Sequence, residues 1–507
     1  MSGVDLVLGI DCSTTAAKAV VWDCEGRALS MGRAPMKHTA PKPGWGEQDP
    51  VDWWRATSDA IGQACRQIAP SRLAAIAITH QRETFACLDE AGYALRPAML
   101  WLDTRATAEV AEHGSEEVHR ITGKPPNTAT SWYKLLWLKS RERKVLESAH
   151  KVVDVHTYLV NRLTGEWQTS YGSVDPLGVL DLETFELHGG LIDALGLQKH
   201  HFGEVHAPGT VVGALRANVA EDLGLNPGLP VVAGLGDGQS AGLGVGIVRP
   251  GQAYLNLGTG IVSGSFAADY RTDRSFRTMA GGLPGSYLTE TFFGGGTYNI
   301  TWFVDRFSDI PSGAFGLGVI PEQILESAAA GLPIGADGLI ALPYLTGSLT
   351  PYWDSNARGV FFGLTGRHGK AHVYRAILEG LSMEQRLSTT GAEAATGSVT
   401  KTFRIMGGGS RSPLWCQMLA DMLHRPVEVA SEPEATCLGA AMLAASATGL
   451  HDGIAEAAEA MSHAGRLYEP DPVAGDKYDR VFDVYKDIYP ALRDHFRRLK
   501  DVANDIA

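Results

Sequence analysis

Two stretches of the 507-residue chain repeat one local plan, and that repetition limits the folds open to it. Over residues 6–23 the sequence LVLGIDCSTTAAKAVVWD reads as an apolar strand, a tight turn of small hydroxylated residues and a second apolar strand. Over residues 254–266, YLNLGTGIVSGSF does the same, with Thr259 between two glycines at the turn. Such uninterrupted apolar runs suit strands covered on both faces. The echo predicts two related halves, residues 1–248 and 249–507, with the boundary near residues 248–251. Length agrees, because a single hydrophobic core stops growing beyond roughly 250–300 residues.

Other segments supply helices between strands, the pattern of an α/β protein. Asp23, Glu25 and Gly26 turn the chain into a third strand, and Asp49 with Pro50 makes an N-cap and first-turn pair for a helix carrying Trp53 and Trp54. LAAIAIT, residues 73–79, reads as a buried strand. LPVVAGLGDGQSAGLGVG, from Leu229, reads as a buried strand that delivers Asp237 at its C-terminal end, followed by a helix of small residues able to pack closely. Catalytic groups commonly stand at that position in α/β folds. FRIMGGGSRSPLWCQMLADML, residues 403–423, predicts a strand, three glycines, and an amphipathic helix opened by Ser412 and Pro413. A strand over 425–430 and a small-residue helix over 434–447 follow. The tail beyond Gly453 is expected to be helical and to lie on the surface.

The chemistry-bearing residues sit at these junctions. Asp11 ends an apolar strand and precedes Ser13, Thr14 and Thr15, so a carboxylate able to hold Mg²⁺ stands beside hydroxyls and N–H groups able to meet phosphate; an ordinary polar turn would use the same residues. Gly258, Thr259 and Gly260 let a backbone approach an anion closely. The glycines at 407–409 match neither the dinucleotide fingerprint nor a P-loop, and could take a flat base against the backbone. Asp237 lies between Gly236 and Gly238, with room for a substrate, or is a helix-capping Asp. HQRET, residues 80–84, puts a guanidinium beside a carboxylate; this pair could bind several hydroxyls or simply be surface ions. His150, His156, His200, His201 and His206 show no metal-ligand spacing and read as solvated.

Charge narrows the partners. Lys and Arg total 44 against 57 Asp and Glu, a net charge of −13, which disfavours nucleic acid and anionic membranes and leaves a small molecule. The six cysteines are scattered without metal-ligand spacing, as expected of reduced thiols in a cytoplasmic protein, and no apolar run of about 18 residues suggests a membrane span.

Taken in order, these segments resemble the FGGY carbohydrate kinases, over nearly the whole chain. The most specific part is GVFFGLTGRHGKAHVYRAILE, residues 359–379; SWYKLLWL around Lys134 and Trp137 matches a second signature in part. The resemblance implies two ribonuclease H-like, actin-type ATPase domains with a catalytic cleft between them, binding ATP, Mg²⁺ and a small sugar or polyol, with a homodimer as the assembly it admits. It implies Asp237 as catalytic base and Gln81, Arg82, Glu83, Trp101, Asp237 and Gln239 as acceptor-binding residues. Thr14, Thr15, Gly258, Thr259, Gly260, Gly408, Gly409 and Ser412 fall at the ATP site and Asp11 at the metal. WGEQDPVDWW, LRPAMLWLDTRA, GVGIVRPGQ and PYLTGSLTPYWD look like xylulokinase, whereas Gln81, Arg82 and Glu83 look like the glycerol kinase triplet. Ser170 stands where the family commonly has Asp, and Ala129 where glycerol kinases place a tyrosine. The expected activity is phosphorylation of a ketopentose such as D-xylulose. The alternatives are a glycerol or other polyol kinase, an actin-type ATPase, or a silent sugar sensor.

Overall fold

A strand whose every residue is buried must lie inside a sheet with both faces covered. That is the situation of β1 (Leu6–Cys12) in the computed structural model, which describes residues 3–308 and 320–506. β1 pairs antiparallel with β2 (Ala16–Asp23), which pairs antiparallel with β3 (Ala28–Pro35). On its other side β1 runs parallel to β4 (Leu73–His80). With β5 (Val211–Ala214) antiparallel to β6 (Pro230–Gly236), and β6 parallel to β4, the sheet order is β5-β6-β4-β1-β2-β3.

The second sheet repeats this plan. β7 (Gln252–Leu257) and β8 (Ile261–Ala267) form the hairpin, and β9 (Arg277–Ala280) adds an edge to β10 (Tyr287–Phe293). β11 (Thr402–Met406) and β12 (Val427–Ala430) continue in parallel from β7, and β13 (Ala464–Tyr468) closes the edge antiparallel. The order is β9-β10-β8-β7-β11-β12-β13. Strand for strand, β7, β8, β10, β11, β12 and β13 stand as β1, β2, β3, β4, β6 and β5 do. The hairpin echo in the sequence is therefore a duplication of topology, as expected of a ribonuclease H-like, actin-type chain.

Helices cover the faces. Asp49 caps α1 (Pro50–Cys65) by accepting from the Val51 N–H, and its Trp53, Ala56, Ala60 and Ile61 pack into the first core. α2 (Asp237–Gly244) follows β6, α3 is Lys370–Thr396, and Ser412 caps α4 (Pro413–Leu423). α5 (Ala435–Ala447) follows β12 and packs on the first sheet, where Leu438, Ala441 and Met442 meet Val7, Trp22 and Val232. α2 and α5 touch through their smallest residues. A Cβ added at Gly244 would collide with the Ala435 carbonyl oxygen, and one at Gly439 with that of Ser240. The small-residue composition of these helices is thus a demand of the seam between the sheets.

Two expectations need correction. The tail is not superficial: it supplies β13, and α6 (Pro472–Asp505) sinks Tyr478, Tyr485, Tyr489 and Phe496 into the second core. Their spacing of seven, four and seven residues places them on one helical face. His156 is not solvated either. It is fully buried, its Nε2 accepts from the Gly234 N–H at 3.0 Å, and burial pushes its pKa down to about 3, so the ring is neutral. Among the described residues no helix is long and apolar enough to cross a membrane.

Candidate active site

β6 carries Asp237 out of the first sheet and hands it to the first turn of α2, where its Oδ1 accepts from the Gly238 N–H at 2.7 Å. An N-terminal helix position favours a carboxylate. The carboxylate does more than cap: the Arg82 Nε donates to the same Oδ1 at 2.9 Å. The Asp237 side chain is 42% exposed, against 7% for Arg82 and none for Glu290, so Asp237 is the member of this group that faces outward. Burial raises its pKa above the usual Asp range, Arg82 opposes the shift, and Glu83 adds to it.

Behind Asp237 lies a chain of buried ions drawn from both sheets. Arg82 Nη1 donates to Glu290 Oε2 at 2.9 Å and to Gln239 Oε1 at 3.3 Å. Arg277 Nε donates to Glu290 Oε1 at 2.6 Å, and Arg277 Nη1 to Glu83 Oε1 at 2.7 Å. Tyr254 completes the shell of Glu290 at 2.9 Å. Against the pull of burial, Arg277 and Arg82 bring Glu290 down to about 2, so it stays ionised. Deleting one partner of such a group typically costs about 3–5 kcal/mol, because the other charge is left buried and unpaired. Arg82 and Glu83 are therefore not loose surface ions. Glu83 is held at φ 51°, in the left-handed region, while the buried Lys134 donates to its carbonyl at 2.7 Å and to that of Leu100 at 2.8 Å. Burial lowers the Lys134 pKa to about 7, with Glu83 opposing.

The first hairpin turn brings Asp11 to the same region. Its Oδ1 is buried and has no hydrogen-bond partner, and its pKa is pushed up to about 7 by burial, with Asp237 adding and Lys18 opposing. A buried carboxylate oxygen without a donor is an open ligand position. Lys18, across the hairpin from Asp11, pairs with Glu434 at 2.6 Å, where the chain enters α5. Thr14 Oγ1 donates to Gln81 Oε1 at 2.9 Å and accepts from Trp101 Nε1 at 3.0 Å. Thr15 is exposed beside it.

The second turn is held by its main chain: Gly258 O accepts from the Thr297 N–H at 2.8 Å and Thr259 O from the Tyr298 N–H at 3.3 Å. Thr259 points into solvent. At the glycine patch, Gly407 has φ 86°, Gly408 opens onto free space, and a Cβ on Gly409 would strike the Trp415 ring. The Ser412 hydroxyl is committed: it accepts from the Trp415 N–H at 3.1 Å and donates to Glu326 at 2.8 Å. Of the residues singled out in the sequence, Asp237, Arg82, Glu83 and Gln239 come together directly, Gln81, Thr14 and Trp101 form a second group, and the glycine patch lies apart from both, against Asn256 and Leu257 of the second hairpin.

Sequence reasoning passed over Lys18, Arg277, Glu290 and the buried Lys124–Asp175 ion pair, whose Asp175 also accepts from the Ala280 N–H at 3.0 Å. The available signal is an ionic residue inside an apolar strand, AAKAVVWD for Lys18 and YLTETFF for Glu290, whereas Arg277 opens its strand and carries no such signal.

Known proteins resemble this chain over most of its length. Residues 6–244 match the N-terminal domain and residues 253–448 the C-terminal domain described for the FGGY family of carbohydrate kinases. The chain is 28% identical over 501 residues to the xylulose kinase of Bacillus subtilis (strain 168), covering 97% of this chain and 98% of that one. It is 31% identical over 466 residues to the glycerol kinase of Thermococcus onnurineus (strain NA1), covering 89% and 90%. The crystal structure of ligand-bound xylulose kinase from Lactobacillus acidophilus superposes with a TM-score of 0.91 at 26% identity, over 97% of this chain and 99% of that one.

Proposed function

This chain belongs to the FGGY family of carbohydrate kinases, and on that premise we propose that it moves the γ-phosphate of ATP to a hydroxyl of a small uncharged sugar, a ketopentose of the xylulose type. The observation that carries the proposal is the outward-facing Asp237 carboxylate, backed by Arg82 and lying within electrostatic reach of the unpartnered Asp11. Asp237 takes the proton from the attacking hydroxyl at Oδ2, since Oδ1 is already bonded to Gly238 and Arg82. Arg82, Glu83, Trp101 and Gln239 wall the acceptor side. The exposed Thr15 and the Gly258–Thr259–Gly260 turn meet the phosphates, with the open Gly408 beneath the base and Gly409 packing the patch in place. Residues 1–248 would then chiefly hold the acceptor and 249–507 the nucleotide, in a cytoplasmic enzyme.

The Asp11 site fits Mg²⁺, because it offers a hard oxygen with no competing donor. Among the described residues no group of three His, Cys, Asp or Glu side chains could hold a metal alone, so the remaining positions would fall to phosphate oxygens and water. Bound there, the ion supplies neutralisation of phosphate charge.

An uncharged acceptor follows from the ion pairing. Arg82 is shared by Asp237 and Glu290, Arg277 by Glu83 and Glu290, Lys124 is paired with Asp175, and Lys134 is spent on two carbonyls. Among the described residues of this group no cation is left to receive a substrate carboxylate, and residues 309–319 contain no Lys or Arg. A glycerol or other polyol kinase is the second reading, supported by Arg82 and Glu83 and by the similarity to the archaeal glycerol kinase. Coupled ATP turnover with D-xylulose, D- and L-ribulose, glycerol, erythritol, xylitol and gluconate tests both. The ketopentose is expected to give the highest kcat/KM. Gluconate ranking first would overturn the uncharged-acceptor reading, and ATP hydrolysis indifferent to every acceptor would overturn transfer itself.

A further inference from the structure

The side chain of Gln81 stands beside the acceptor residues in sequence, yet its hydrogen bonds run the other way. It is 1% exposed. Its Oε1 accepts from Thr14 Oγ1 at 2.9 Å and from Thr84 Oγ1 at 3.4 Å, and its Nε2 donates to Gln48 Oε1 at 3.0 Å. Gln48, at the foot of α1, is 2% exposed and saturated in turn. It also accepts from Trp53 Nε1 at 2.8 Å, and its Nε2 donates to the carbonyls of Thr14 and Lys37 at 3.0 and 3.1 Å.

Thr14 is thus gripped at both its hydroxyl and its carbonyl. The first grip is Gln81, the second Gln48, and Trp101 Nε1 completes the hydroxyl's bonding. Buried amides that satisfy one another in this way fix a geometry, because any displacement leaves a donor or acceptor unpaired at about 1–3 kcal/mol. A turn made of Ser13, Thr14 and Thr15 has no apolar anchor of its own, and the two glutamines supply one.

Resting on the kinase reading above, we propose that Gln81 and Gln48 are positioning residues that set the first phosphate-facing turn through Thr14, and that Gln81 makes no acceptor contact. Gln81 consequently acts on the nucleotide side of the reaction, and its neighbours Arg82 and Glu83 on the acceptor side.

The test compares Q81M, Q48M and the double variant with the unaltered protein. Methionine keeps the length of the side chain and removes its hydrogen bonds. Steady-state constants for acceptor and ATP, ATP binding by calorimetry without acceptor, and Tm are measured for each. Both single variants are expected to lose about tenfold or more in kcat and to bind ATP more weakly, with acceptor KM within twofold of the parent. The double variant should be no worse than the poorer single one, since residues of one network do not act additively. A tenfold rise in acceptor KM in Q81M with Q48M silent would overturn the inference, as would unchanged kcat and ATP affinity in both. Should one variant fail to fold, the other still decides between these outcomes. If the unaltered protein transfers phosphate to no acceptor, the kinase reading fails by itself, and the calorimetric arm still reports whether the strut sets the nucleotide side.

Discussion

The two hairpins join equivalent strands, but their turns differ in length and in chemistry: four residues lie between the last paired positions of the first and three in the second. In the first, β1 and β2 close at the pair Cys12 and Ala17, and one step earlier Asp11 faces Lys18. In the second, β7 and β8 close at Leu257 and Ile261, and one step earlier Asn256 faces Val262. An ion-bearing pair in one copy is thus an amide and a methyl-bearing side chain in the other. The means of support differ as well. The first turn is gripped by the side chains of Gln81, Gln48 and Trp101 as well as by main-chain donors such as the Met36 N–H to Thr15 O at 2.8 Å, the second by main-chain donors at residues 297 and 298. On the kinase reading proposed above, duplication supplied two comparable places for phosphate, and side chains made one of them the charged side. A neutral turn that offers only N–H groups can approach an anion without a carboxylate to repel it, and the turn with the carboxylate needs a cation between.

The same contrast recurs where each half hands its last parallel strand to a helix. β6 delivers Asp237, which faces outward, and β12 delivers Glu434, which is spent on Lys18. The largest effect should therefore fall on the first copy. Asp237→Asn keeps the shape and the helix-start hydrogen bond but removes the base. It is expected to lower kcat by about 10²–10⁴-fold while ATP affinity, measured by calorimetry, stays within twofold. The unaltered enzyme should lose kcat/KM on the acid side at a pH above the usual Asp range near 4, because burial raises the Asp237 pKa and only the deprotonated form accepts a proton. Near-normal turnover in the Asn variant would move the base elsewhere.

Asp11→Asn makes the first turn imitate the second. It should cost about 10²-fold in kcat, a loss of roughly 2.7 kcal/mol at the transition state, and raise the Mg²⁺ concentration needed for half-maximal rate. A rate that falls with unchanged Mg²⁺ dependence would show that Asp11 acts by some route other than the metal.

What can be read from the sequence follows the same division between local and distant causes. The hairpins, the junction at Asp237 and the Ser412 cap rest on signals a few residues wide, and each stands where local chemistry puts it. Arg82 and Glu83 are visible as a motif, but their ion partners are not. Glu290 and Arg277 lie 208 and 194 residues further along the chain, and topology alone brings them back. β13 escapes for a different reason: four of its five residues are exposed, so an edge strand held by its backbone shows no apolar run. The aromatic face of α6 is legible in its spacing, yet nothing local says which core it enters. Gln81 is the most instructive case, since its hydrogen bonds run to Thr14 and Gln48 while those of the adjacent Arg82 run to Asp237 and Glu290, and nothing local in the sequence says which way each side chain turns.

The seam between the halves offers the next test, on stability rather than rate. Gly439→Ala adds a Cβ against the Ser240 carbonyl oxygen, a backbone atom that cannot move aside cheaply. It should destabilise the protein by about 1–3 kcal/mol, read as a lowered Tm and denaturation midpoint, because overpacking forces the two helices apart. Gly189→Ala, where an added Cβ meets nothing within 4 Å, is the control and should lower neither. Equal effects would mean that the seam is not tightly packed.

The smallest expected effect comes from the reverse exchange, Asn256→Asp, which gives the second turn the first turn's carboxylate. The exchange is nearly isosteric, so packing beside Gly258 and Gly407 should survive. The new charge faces Val262 rather than a lysine, and on the proposed reading it stands on the nucleotide side. Partial exposure of Asn256 keeps the repulsion modest. KM for ATP should rise about threefold to tenfold, equivalent to roughly 0.7–1.4 kcal/mol, with acceptor KM unchanged. A second substitution, Val262→Lys, rebuilds the cross-strand pair of the first turn and should return most of that loss. If Asn256→Asp leaves KM for ATP untouched, the second turn does not face phosphate, and the contrast between the two copies would reduce to one of sequence alone.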